Sequence, residues 1–306
     1  MSALSKPIFT DETKAREWLE ARIWPDGPVC PKCGSVDQAT LLKGKSHRPG
    51  LYQCNACREP FTVTVGTLYE RSKIPLHKWL AATHLMMASK KGISALQISR
   101  LLGISYKTAW FLCHRIRESL RETSPDLLGG SNKVVEADET YIGGKAKNRK
   151  GKVPPKEAVV SLVEREGKVR SHHMMAVTAK TVGPILDAHI HKKSYLMTDD
   201  APLYVKIAEG FSGHGSVNHS IEEYVRGTFW HTNTVENYFS ILKRGITGTF
   251  HHVSQQHLKR YLAEFDFRYN ERQALGVDDA ERMAKSIKGI VGKRLTYRRI
   301  NPRPNV

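Results

Sequence analysis

Three acidic residues stand where the surrounding apolar pattern does not account for them. In KVVEADETYIGG, residues 133–144, Val134 and Val135 suit a strand, and Asp138 and Glu139 follow where a buried strand should stop. The apolar run YLMT, 195–198, likewise leads into Asp199 and Asp200, and 36 residues separate Asp199 from Glu236. Glu236 lies near the start of TNTVENYFSILKRGI, whose Val235, Tyr238, Phe239, Leu242 and Ile246 form a stripe at helical spacing. Each acid alone has an ordinary explanation. Asp138 could accept from the backbone of Tyr141 and Ile142 in a turn, and Asn233 with Glu236 resembles a capping box. Together, two acids ending neighbouring strands and one on a packed helix could hold two divalent ions about 4 Å apart, clamping attacking and leaving oxygens in phosphoryl transfer. Hard Mg²⁺ or Mn²⁺ suits such carboxylates. Lys243 follows Glu236 by seven residues, two helical turns, and so shares its face.

A second chemistry is written in cysteine. Cys30 and Cys33 in CPKCG, then Cys54 and Cys57 in CNAC after 20 intervening residues, make two Cys-x-x-Cys turns that together complete a closed, tetrahedral Zn²⁺ site. That metal is structural, because four thiolates leave no open position. Short alternating stretches around 51–53 and 61–65 supply the hairpins of a zinc ribbon. The fifth cysteine, Cys113, falls on an apolar helical stripe and reads as packing.

The elements that must position these groups follow from periodicity. A short amphipathic helix is expected over 11–24 and a longer one over 75–91, ended by Gly92. Ser94 can cap a helix over 95–102, and Gly103-Ile104-Ser105 turns into another over 106–120. Helix, short turn and helix form a helix-turn-helix whose second helix enters the DNA major groove by its N-terminal residues, Ser105, Tyr106, Lys107 and Thr108. Arg115, Arg117 and Arg121 are expected to reach phosphates; the alternative is a plain helical hairpin. After a turn-rich linker, strands over 133–138, 158–164, 168–178 and 194–198 alternate with helices over 183–189 and 204–209, implying a mixed sheet covered by helices. The loop GGKAKNRKGKVPP, 143–155, carries Lys145, Lys147, Arg149 and Lys150 and no acid, so phosphate contact and simple solvation are both open. Helices over 255–272 and 278–288 precede a basic tail.

Composition narrows the partners. The 306 residues include 48 Lys and Arg against 30 Asp and Glu, a formal charge of +18 that calls for an anionic partner, nucleic acid first. No apolar run approaches a membrane span and no signal-peptide core is present, so a cytoplasmic protein is expected.

Nearly the whole chain resembles bacterial insertion-sequence DDE transposases with an N-terminal zinc ribbon, the IS1595 group. The resemblance rests on WPDGPVCPKCGS from Trp24, CNAC from Cys54, ADETYIGGK from Ala137, TDDAPLY from Thr198, NTVENYFSILKRGITGTFHHVS from Asn233 and EFDFRYNER from Glu264. It implies an α/β, ribonuclease-H-like mixed sheet with flanking helices, preceded by the zinc ribbon and helix-turn-helix. It also implies double-stranded DNA with terminal inverted repeats as substrate, a homo-oligomer on DNA, and Asp138, Asp199 and Glu236 as metal ligands, with Lys243 the accompanying basic residue. Where that family has Gly or Ser after the second Asp this chain has Asp200, so either neighbour is a candidate ligand. Expected boundaries are 1–70 for N-terminal helix and ribbon, 71–124 for the DNA-binding region, 131–275 for the catalytic domain and 276–306 for the C-terminal helix and tail. The expected activity is hydrolysis at an element end followed by strand transfer. Two rivals are a DNA-binding regulator derived from an inactive transposase and a two-metal nuclease without strand transfer.

Overall fold

A computed structural model describes residues 3–123, 125–143, 156–217, 225–226 and 230–296. The chain forms two compact units: Met1–Arg121 with Val277–Val306, and Glu122–Gly276.

The first unit begins with helix α1, Glu12–Ile23, capped by Asp11, whose side chain accepts from the Lys14 amide at 2.8 Å. A three-stranded antiparallel sheet follows: β1 (Ala39–Leu41), β2 (Tyr52–Cys54) and β3 (Pro60–Phe61). The alternating stretch beyond Phe61 is a turn rather than strand, closed by the Val65 amide on the Thr62 carbonyl. Helix α2, Leu76–Ala88, stops short of Gly92. Helix α3, Ala95–Leu102, starts at a capping box of Ser94 with Gln97 and ends on Gly103, whose φ of 60° needs no Cβ accommodation. Helix α4, Tyr106–Ser119, starts at Ser105, completing the helix-turn-helix. The last helix among the described residues, α9 (Asp279–Lys288), returns to this unit: the Arg282 guanidinium donates to the Met87 carbonyl at 2.9 Å, and the Leu68 amide to the Ile290 carbonyl at 3.0 Å.

The second unit is built on five strands, β4 (Val134–Gly143), β5 (Lys156–Glu164), β6 (Val169–Met174), β7 (Tyr195–Asp199) and β8 (Gly213–Val217), in the order β6-β5-β4-β7-β8. The first three are an antiparallel meander, and β7 and β8 add parallel to β4. This is the ribonuclease-H-like mixed sheet. Strand β5 reads AVVSLV because both its faces are covered. Val160 and Leu162 join the core made with α5 (Ala179–His189) and α6 (Pro202–Ala208). Val159 and Val163 join the opposite core, made with α7 (Asn233–Gly245) and α8 (Gln255–Asn270).

One expectation is corrected here. The first strand does not end at Asp138; it continues to Gly143, because β5 pairs with it through Gly143↔Lys156. What ends near Asp138 is the parallel pairing with β7. Strand β8 was not anticipated.

Candidate active site

Parallel register brings the first two acids together. Val134 pairs with Tyr195 and Glu136 with Met197, so two residues further along each strand come Asp138 and Asp199, at the same level and on the same face. That face is the α7 side, since Ile142 on β4 packs in the core with Val235, Tyr238, Phe239 and Leu242 of α7. Glu236, in the first turn of α7, lies near enough for its charge to act on Asp138.

Electrostatics record the convergence. Burial pushes the Asp138 carboxyl up to about 7, with the Glu139 amide bond opposing, and the charges of Asp199, Glu139 and Glu236 adding to the rise. Asp138 Oδ1 accepts from the Glu139 amide at 2.7 Å, not from Tyr141 or Ile142. Asp199 is half-buried, its Oδ1 accepting from the Ala201 amide at 3.3 Å, while Asp200 is exposed. The Asn233–Glu236 capping box is not formed. Thr232 is the N-cap, and its hydroxyl donates instead to Glu236 Oε1 at 3.2 Å. Lys243 is exposed in the last turn of the same helix.

Among the described residues, only Cys30, Cys33, Cys54 and Cys57 bring three or more metal-ligating atoms all within 4.8 Å of one another. In the ribbon, Cys30 Sγ is 3.7 Å from Cys57 Sγ and Cys33 Sγ is 3.6 Å from Cys54 Sγ. Four sulfurs at about 2.3 Å around one tetrahedral Zn²⁺ lie about 3.8 Å apart, so the thiols fit a structural zinc. The Ser35 hydroxyl lies 3.2 Å from the Cys33 sulfur and steadies it in the turn.

At the start of α4, Ser105 accepts from the Thr108 amide at 3.2 Å and its hydroxyl meets that of Thr108 at 2.8 Å, so both serve the cap. Tyr106 and Lys107 are exposed. Arg115 is corrected as a phosphate contact. It is 8% exposed, donates to the Glu70 carbonyl at 2.7 Å and lies 5.1 Å from the Trp79 ring centroid, because its helical position faces the unit's interior. Arg117 is buried too, whereas Arg121 is exposed and pairs with Glu118 at 2.7 Å. Lys145, Lys147, Arg149 and Lys150 lie outside the described residues.

The sequence matches two family models, a transposase zinc-ribbon domain over 10–59 and an ISXO2-like transposase domain over 127–270. The chain belongs to the IS1595-group transposases. A protein in transposable element ISH50 of Halobacterium salinarum is 26% identical over 278 residues, covering 85% of this chain and 91% of its own length. Among solved structures, a pre-cleavage Mos1 transpososome is 11% identical with a TM-score of 0.27, over 68% of this chain and 74% of that chain. A mariner Mos1 paired end complex with Mg is 13% identical with a TM-score of 0.26, over 71% and 77%. Superposition at such scores does not align individual residues. Among the described residues of this transposase, no helix is long and apolar enough to cross a membrane.

One group in the transposase domain escaped the sequence reading altogether. Glu136 is wholly buried, two residues before Asp138, and its carboxylate reaches the N-terminus of α7. An acid inside the run VVEA was the available signal, since a charge enclosed by apolar strand positions demands partners.

Proposed function

We propose that this transposase binds the terminal inverted repeats of an insertion sequence in double-stranded DNA. There it hydrolyses a phosphodiester and transfers the freed 3′ end to target DNA, with two Mg²⁺ or Mn²⁺ ions held by Asp138, Asp199 and Glu236. The supporting observation is the Asp138 carboxyl, raised to about 7 by burial and by the charges of Asp199 and Glu236 among others, which makes a bound cation favourable at that point. When bound, such ions neutralise charge developing on the attacking and leaving oxygens.

The protein's own groups supply position. Both steps are in-line displacements at phosphorus, which need orientation and charge neutralisation rather than a covalent nucleophile. Lys243, about 10 Å along α7 from Glu236, holds a phosphate beyond the ions. Tyr106 and Lys107 at the exposed start of α4 read base edges, and the zinc ribbon supports end recognition. Lys145, Lys147, Arg149 and Lys150 contact backbone phosphates, a reading that rests on sequence alone. Two element ends must meet, so the working form holds more than one copy on DNA, in the cytoplasm where genomic DNA lies.

The test incubates zinc-loaded full-length protein with DNA carrying the element's terminal repeat. Cleavage at the end and a joined product should appear with Mn²⁺ and vanish with chelator. Cleavage without joining would reduce the enzyme to a nuclease, and absence of both would overturn the reading.

A further inference from the structure

Helix α7 must hold Glu236 at a fixed separation from Asp138, yet no side chain of its own N-cap Thr232 bonds the first-turn amides. Those amides are answered from the sheet. Glu136 Oε2 accepts from the Thr234 amide at 2.8 Å and the Val235 amide at 2.9 Å. Its Oε1 accepts from the Thr234 hydroxyl at 2.9 Å and from Arg165 Nε at 2.6 Å, with His231 Nδ1 at 3.3 Å. Arg165 extends the clamp, donating through Nη2 to the His231 carbonyl at 2.8 Å and through its own amide to the Val134 carbonyl at 3.0 Å. Glu136 is wholly buried, so water cannot replace these bonds.

The covalent route from Asp138 to Glu236 is long, but the clamped route is short. Asp138 lies two residues from Glu136 on the same face of β4, and Glu236 lies one residue beyond Val235 in α7. A carboxylate satisfies amide dipoles and a guanidinium together, whereas an amide side chain would turn its NH₂ towards donors.

We infer that Glu136 is a positioning residue: by capping α7 from β4 it sets the separation of Glu236 from Asp138 that divalent metal binding requires. This rests on the two-metal reading above, and the test keeps the two apart. Mn²⁺ binding to zinc-loaded, full-length protein is measured by calorimetry and by the rise in melting temperature, with cleavage followed separately. Glu136→Gln should raise the apparent Mn²⁺ dissociation constant by about tenfold or more, in the range expected when a group supporting metal ligands is lost. Its cleavage should recover at high Mn²⁺, a shift in metal requirement rather than a uniform loss of rate. Thr234→Val removes only the hydroxyl donor and should shift the constant in the same direction by a smaller factor. Glu264→Gln is the control: Glu264 is wholly buried and bonded to Arg268 within α8, so its loss should lower stability without changing Mn²⁺ affinity. Wild-type protein that binds no Mn²⁺ would overturn the two-metal reading and this inference with it. Wild-type binding with unchanged affinity in Glu136→Gln overturns the inference alone, as does an equal shift in Glu264→Gln. If Glu136→Gln does not fold, unchanged affinity in Thr234→Val overturns it.

Discussion

The Tyr204 hydroxyl donates to the Glu139 carboxylate across 2.9 Å, on the face of β4 opposite Asp138. Strand alternation thus separates two adjacent acids: Glu139 is answered by α6, and Asp138 faces α7. Asp138→Asn is expected to lose cleavage by about a thousandfold or more while still binding element ends. Asp199→Asn should behave likewise, and Glu139→Gln and Asp200→Asn should retain cleavage. A gel assay on end DNA decides it, and loss in Asp200→Asn alone would move the second ligand by one residue.

Asp138 also fixes a pH dependence. Its folded-state carboxyl, raised to about 7, binds a proton that the unfolded chain has released by about pH 4 to 5. The folded state therefore holds more protons across this window, and the Asp138 contribution to stability falls as pH rises from about 4 to about 7. Metal-free Asp138→Asn should lack that fall and melt no lower than wild type at pH 8. Mn²⁺ at a hundred times its dissociation constant should restore about 2.7 kcal/mol to wild type and nothing to the variant. Melting curves across pH, with and without Mn²⁺, provide the check.

Zinc and the ribbon should stand or fall together. Cys54 is wholly buried and its sulfur is 3.6 Å from that of Cys33, so Cys54→Ser is expected to lose the metal and unfold the ribbon. Metal analysis should give one zinc per wild-type chain and none in the variant, with end binding weakened. Wild-type protein purified without zinc in the absence of chelator would refute it.

Two basic residues of α4 should fail differently. Lys107→Ala should relax discrimination between end DNA and random DNA, with little effect on folding. Arg115→Ala should instead cost about 2–3 kcal/mol of stability, by deleting a buried charged donor to the Glu70 carbonyl and its contact with Trp79. Binding curves and denaturant melts separate the two, and equal losses on both DNAs for Lys107→Ala would count against base readout.

Lys243→Ala should leave Mn²⁺ binding unchanged and reduce cleavage and strand transfer, since Lys243 lies two helical turns from Glu236 on the same face of α7. Wild-type rates in that variant would assign Lys243 to the solvated surface.

Local chemistry made several elements legible. Ser94 and Gly103 bracket α3, Ser105 starts α4, and paired cysteines at metal spacing locate the ribbon. The stripe from Val235 to Ile246 gave α7, though not that it caps on Thr232 or that residues 246–250 continue as a π-helical turn. Strand β8 was illegible because GHGSV has little apolar surface; Gly213 is there because a Cβ would fall 2.8 Å from the ring of its register partner Tyr195. Arg115 looked like a surface cation because charge in a helix is usually solvated, and only the packed Trp79 and Glu70 reverse that. Glu136 required knowledge of where β4 and α7 meet, 98 residues apart in sequence.

Helix α9 lies in the unit that opens the chain, with the whole transposase sheet inserted between its two parts. A ribosome therefore releases every strand of the sheet before it releases the helix that completes the ribbon and helix-turn-helix unit. During synthesis the carboxylates can assemble first, and the unit that opens the chain gains α9 as a packing partner only after the whole sheet has emerged. A polypeptide still short of α9 thus holds the sheet-borne acids before the unit that opens the chain has both its parts.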